Sequence, residues 1–261
     1  MPLQILSIIR YNIRFVSKKM FLFLAWLIAT VIFHAIYNKA YAHYTAIDVY
    51  LICIGMVTIE KLHVIQILII LLPYFGMAMM VDVYIAHMMG EHAIFSMLRI
   101  EKRLLFIVSH VLSLCLFIFA MLFIYQMMLM ISSFTLYDRT FRFTDSIFTG
   151  MAIPLENIFL RLVLPAFVGQ FIGAFCVACV QLAVSIQFNR LSSGFMFVVF
   201  LYFLQLVFPI IIGRHVFVAS ILIDYVKYIH FLITQLLVIG GCIIYLYVLS
   251  RKNILIFSER G

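Results

Sequence analysis

Apolar residues run along this chain in long blocks, separated by short polar stretches that hold most of the charge. Six blocks stand out, at about residues 20–38, 62–86, 104–131, 158–187, 194–213 and 229–249. A helix over 20–38 covers roughly 28 Å at about 1.5 Å per residue, close to the thickness of a bilayer's hydrocarbon core. The pattern therefore predicts six transmembrane helices within a single transmembrane domain, residues 20–249. Pro73 and Gly76 fall inside the second block and predict a kink there. Before the first block, residues 1–19 place Ile5, Ile9 and Ile13 on one helical face and Arg10, Arg14 and Lys18 on another. That pattern predicts an amphipathic helix lying on the cytoplasmic membrane surface.

The connections differ in character. Residues 39–60 are rich in Tyr and suit the outer interface, and their apolar middle, 49–59, is too short to span. Residues 132–157 form the longest polar loop. Residues 214–228 are too polar to cross and too apolar for open solvent, which predicts a re-entrant or interfacial helix. Residues 250–261 are a cytoplasmic tail.

The stretch 82–110 is the most unusual connection. It places Asp82, Glu91, Arg99, Glu101, Lys102 and Arg103 between two apolar blocks. Ile94, Phe95, Leu98 and Leu105 recur at roughly helical spacing, so a short helix with an apolar face is expected there. A plain turn needs neither that length nor that face, which points to a docking surface.

Composition sharpens the class. The chain has 261 residues, 67% hydrophobic and 11% charged. A soluble domain is about 25% charged, so an all-α integral membrane protein is the fold class. Continuous apolar runs exclude the alternating strands of a transmembrane β-barrel. The first apolar block follows a basic stretch and precedes no small-residue cleavage site, so a cleavable signal peptide is not expected. With both termini in the cytoplasm, 11 of the 18 Lys and Arg residues lie on the inner side. The net charge of +8 is thus an orientation signal of a multi-pass plasma-membrane protein, not a nucleic-acid footprint.

Candidate chemistry is sparse. Cys176 and Cys179 form a CxxC within an apolar block, without the second pair of a zinc site, and are read as packing residues. His87 and His92 flank Glu91 at a spacing that sets them about 140° apart on a helix, so they are poor metal co-ligands. HExxH, GxSxG and the phosphate-binding GxxxxGK[ST] are missing from the sequence. No enzymatic activity, no metal site and no cofactor of its own are expected.

What remains is amides inside the apolar blocks: Gln66, Gln170, Gln181, Gln205 and Gln235. Gln170 and Gln181 lie 11 residues apart, nearly three helical turns, and so share a face about 16 Å long. Gly169 and Gly173 form a GxxxG on the adjoining surface, which permits close helix approach. Those four residues line either a substrate pathway or a helix interface.

The segments IIRYNIRFVSKKM at 8–20 and GEHAIFSMLRIEKRLLFIVSH at 90–110, with six spans around them, resemble an ABC-2-type permease subunit of an ABC transporter. Two positions differ from the family pattern: no Pro precedes Lys102–Arg103, and His110 stands where a Lys is frequent. The resemblance implies that 82–110 contains a cytoplasmic coupling helix docking on a separate ATPase subunit, which would bind ATP and Mg. Glu91, Phe95, Leu98, Arg99, Glu101, Lys102 and Arg103 would form that contact. It also implies a second permease subunit, identical or related, completing one pathway in a bacterial cell membrane. The Phe- and Met-rich composition suits an amphipathic peptide cargo, as in permeases that export antimicrobial or cytolytic peptides or confer immunity to them. An intramembrane enzyme and a non-transporting receptor or assembly factor are the alternatives.

Overall fold

A computed structural model describes residues 2–38, 45–55, 64–89, 103–137, 159–188, 190–207, 214–217 and 224–252. Among these, seven α-helices follow in order: α1 (Pro2–Asn38), α2 (Ala46–Cys53), α3 (Val64–Met89), α4 (Arg103–Leu136), α5 (Leu164–Phe188), α6 (Leu191–Val207) and α7 (Tyr225–Lys252). A π-helical turn, Phe159–Val163, leads into α5, and a 3-10 turn, Arg214–Phe217, follows α6.

Windows within α1, α3, α4, α5 and α7 are long and apolar enough to cross a membrane, whereas α6 is shorter. The protein is all-helical and membrane-embedded in character, because its outer faces are apolar. Phe21, Ile32, Phe119, Phe123, Phe200, Leu237 and Ile244 all stand exposed, a surface that water would not tolerate at this extent. Burial grades across the bundle: 67% of the α3 window is inside, against 17% of the α7 window. Thus α3 and α5 form the centre and α7 the periphery.

Side-chain bonds fix the helix directions: α1 and α4 run antiparallel to α3, whereas α5 and α7 run parallel to each other. Near one end Asn12 of α1 meets Tyr84 of α3 and Ser113 of α4, at 3.4 and 3.0 Å. Further along, the indole of Trp26, the chain's only tryptophan, donates to the Leu72 carbonyl at 2.7 Å. Tyr228 near the start of α7 donates to the Pro165 carbonyl at the start of α5, and Tyr245 bonds Gln187 at the far ends of both helices. One end of the bundle therefore collects the start of α1, the end of α3, the start of α4 and the end of α7. The opposite end carries α2 and the 3-10 turn.

Several expectations change. The helix of residues 1–19 and the first span are one unbroken helix, because nothing at Lys19–Met20 stops it. Gly76 admits the Trp26 ring: a Cβ there would meet Trp26 Cδ1 at 2.5 Å. Asp82 lies inside α3, as the apolar block 62–86 implied, and α4 opens at Arg103.

The Tyr-rich connection is corrected most. Its apolar middle does not rest at an interface; α2 is buried along all eight residues. Thr45 caps it, accepting from the Asp48 amide while the Asp48 carboxylate accepts from the Thr45 amide at 3.0 Å. Residues 214–217 of the expected re-entrant segment form a 3-10 turn with His215, Val216 and Phe217 buried, and Tyr225–Tyr228 belong to α7.

Candidate functional site

The bundle interior holds a chain of hydrogen bonds at the α2 end. Tyr50 Oη donates to Gln126 Oε1 at 2.9 Å, and Gln126 Nε2 donates to Gln170 Oε1 at 2.6 Å. Gln170 Nε2 then donates to the Ile54 carbonyl at 3.0 Å. All three side chains are buried, so each bond replaces water the site excludes. The chain satisfies a carbonyl just past the end of α2, where no helical donor remains. Gln170 is therefore a helix-to-connection strut.

Two glycines let the irregular pieces meet. Gly55 has φ +78°, a conformation open to glycine, and a Cβ there would lie 2.2 Å from the Val216 carbonyl oxygen. Gly173 faces the 3-10 turn, since its Cβ would sit 2.1 Å from His215 Cβ. This half of the GxxxG admits a histidine, not a neighbouring transmembrane helix. Gly169 is buried beside it. His215 contacts the Tyr74 ring edge-on at 5.1 Å and reaches the Tyr202 hydroxyl at 3.3 Å. Burial pushes the His215 imidazole down to about 3, so it is neutral at pH 7.

Gln181 occupies a different environment from Gln170. Its Nε2 donates to the Ala78 carbonyl of α3 at 2.9 Å, and the amide also bonds the Asp82 carboxylate. Gln181 borders a narrow cavity between α3, α4, α5 and α6, with Tyr74, Ile118 and Tyr202 among its walls, and with room for about one water. Thus the two glutamines share a buried face but are not joined.

Towards the chain termini lies a second polar cluster. Asn12 Nδ2 donates to Ser113 Oγ and lies 3.3 Å from His110 Nδ1, while Tyr84 Oη meets the same nitrogen at 2.7 Å. His87 stacks on Phe15 at 3.6 Å between ring centroids. His110 is thus a buried seam residue binding α1, α3 and α4.

Of the expected coupling residues, Glu91, Phe95, Leu98, Arg99, Glu101 and Lys102 lie outside the described residues, and Arg103 is the first residue of α4. Sequence reasoning passed over Gln126, Tyr50, Asn12 and Tyr84. Gln126 was detectable as an amide in an apolar block; the tyrosines, in a chain with 14 of them, were not.

For other chemistry, the closest pairing is Cys53 Sγ with His34 Nδ1 at 3.2 Å. Burial raises the Cys53 thiol well above its usual range, so it stays protonated beside the imidazole. Cys176 and Cys179 are free and pack with Ile239 and Cys242. No group of three or more His, Cys, Asp or Glu able to hold a metal occurs among the described residues. Compared with known proteins, the chain matches no family model, no curated protein and no solved structure.

Proposed function

We propose that this chain is the membrane-spanning permease subunit of an ABC-2-type ABC transporter. With a second permease subunit it forms a pathway powered by separate ATPase subunits that carry ATP and Mg. The reading rests on the sequence of 90–110 and on its place in the bundle: the segment joins the ends of α3 and α4 beside the start of α1. A single connection at that end of the central helix α3 is positioned to transmit a push from a docked partner. The α2 end, by contrast, is packed with buried connections.

In this reading α6 is the fifth of six crossings. Its 17 residues cover roughly 25 Å, and it runs from Gly194 beside Ser185 to Tyr202 beside His215. Both termini then share the cytoplasmic side, which agrees with the exposed Arg10, Arg14, Lys18 and Lys19 of α1. An amphipathic peptide leaving a bacterial cell is the cargo that best fits the apolar surface.

Affinity co-purification from the native membrane tests the reading. A bound ATPase is expected, and Phe95→Ala lowers its affinity by about thirtyfold, the effect of truncating a 2 kcal/mol interface anchor. Glu101→Lys leaves membrane abundance unchanged and lowers substrate-stimulated hydrolysis. Wild-type association and stimulation in both variants would reduce 90–102 to a connector.

A further inference from the structure

Asp82 is the one carboxylate within the described apolar spans, and it leaves an oxygen unmatched. Its Oδ1 has no hydrogen-bond partner, and neither does Oε1 of the adjacent, fully buried Gln181. Both atoms are acceptors. Orphan acceptors on two bonded side chains of an apolar bundle gain nothing from the surrounding hydrocarbon.

Among the described residues, no cation answers them. Lys18 and Lys19 of α1 are exposed, and α6 carries no acidic or basic residue. His110 of α4 is engaged by Asn12 and Tyr84, His87 of α3 stacks on Phe15, and Tyr202 of α6 faces His215. The Asp224–Lys227 ion pair involves neither α3 nor α5.

We infer that Asp82 is a proton-binding site, held as the neutral carboxylic acid and paired with the Gln181 amide. A single proton on Oδ1 converts one orphan acceptor into a donor for the other, Gln181 Oε1. The amide N–H already bonds the carboxyl group, so the two bonds close an acid–amide ring. Uptake forms one O–H bond with a proton from the nearby aqueous surface and breaks no bond within the protein. A metal cation would need several more oxygen ligands than this pair supplies. The site stands apart from the transport reading and holds for any function of the chain.

Infrared difference spectra of the full chain in lipid, between neutral and alkaline pH, test the site. A carboxylic-acid carbonyl band is expected in the wild type, lost in Asp82→Asn and moved to higher frequency in Gln181→Leu. Labelling of the unmodified protein provides a second measurement that needs no variant. Membrane-soluble dicyclohexylcarbodiimide, which attacks protonated carboxyls, should modify Asp82, and a water-soluble carbodiimide should not. Absence of an Asp82-dependent acid band at neutral pH, or equal labelling by the water-soluble reagent, overturns the proposal.

Discussion

The α2 end of the bundle and the end that gathers the termini both bury polar side chains, but they spend them on different partners. At the termini, Asn12, Tyr84, His110 and Ser113 bond one another across regular helices whose own backbones are already satisfied. At the α2 end, Tyr50, Gln126 and Gln170 lead to the carbonyl of Ile54, a backbone group beyond a helix end. The first cluster sets how three helices lie against each other. The second makes it possible to bury a non-helical connection at all, because an unpaired carbonyl in an apolar interior is costly. Rigidity at the two ends thus has different origins: side-chain matching at one, satisfaction of backbone at the other.

The sharpest way to break this contrast is Gly55→Ala. The positive φ and the clash with the Val216 carbonyl together cost on the order of 3 kcal/mol, enough to lower thermal stability in detergent markedly. A wild-type melting curve would mean that α2 is not seated against the 3-10 turn.

Acid should act next, and on the same end. Buried His215 titrates near 3 when folded but near 6.5 when unfolded, so below pH 6.5 the unfolded chain binds the extra proton. Stability present above pH 6.5 is therefore lost as pH falls towards 3, by about 1.4 kcal/mol per pH unit within that window. Denaturation measured at pH 7.5, 6 and 5 should show the decline, and His215→Asn should make it shallower.

Smaller effects separate the two networks. Gln126→Leu and Gln170→Leu should each cost about 1 kcal/mol, since membrane hydrogen bonds are worth that or less. The double variant should cost less than the sum, because both changes break one chain. Asn12→Ala should cost a similar or smaller amount and add fully to either, its cluster being remote. Additivity between Gln126 and Gln170 would show that they do not form one relay.

The mildest test is Gly240→Ala on the peripheral helix α7. A Cβ there meets nothing within 4 Å, so stability should be unchanged or rise by up to about 1 kcal/mol through helix propensity. A loss would mean that this face of α7 is covered by a partner.

Apolar block length was enough to locate α3, α4, α5 and α7 to within a few residues at most ends, because a bilayer demands long runs and internal helical bonds. The amides of Gln170 and Gln181 were legible as buried functional or packing groups for the same reason: hydrocarbon rejects them unless something answers. The partners were not legible. Gln170 answers a carbonyl 116 residues away and Gln181 one 103 residues away, contacts that no local pattern encodes. The fate of α2 was hidden too. An eight-residue apolar stretch looks the same whether it lies at an interface or inside a bundle, and only the space between α4, α5 and the 3-10 turn decides. Segments long and apolar enough to cross a bilayer were legible from periodicity and solvent alone. Which polar atoms meet, and which stay unmatched as at Asp82, was decided by tertiary structure alone, because hydrogen bonds require angstrom-scale placement of groups that composition cannot bring together.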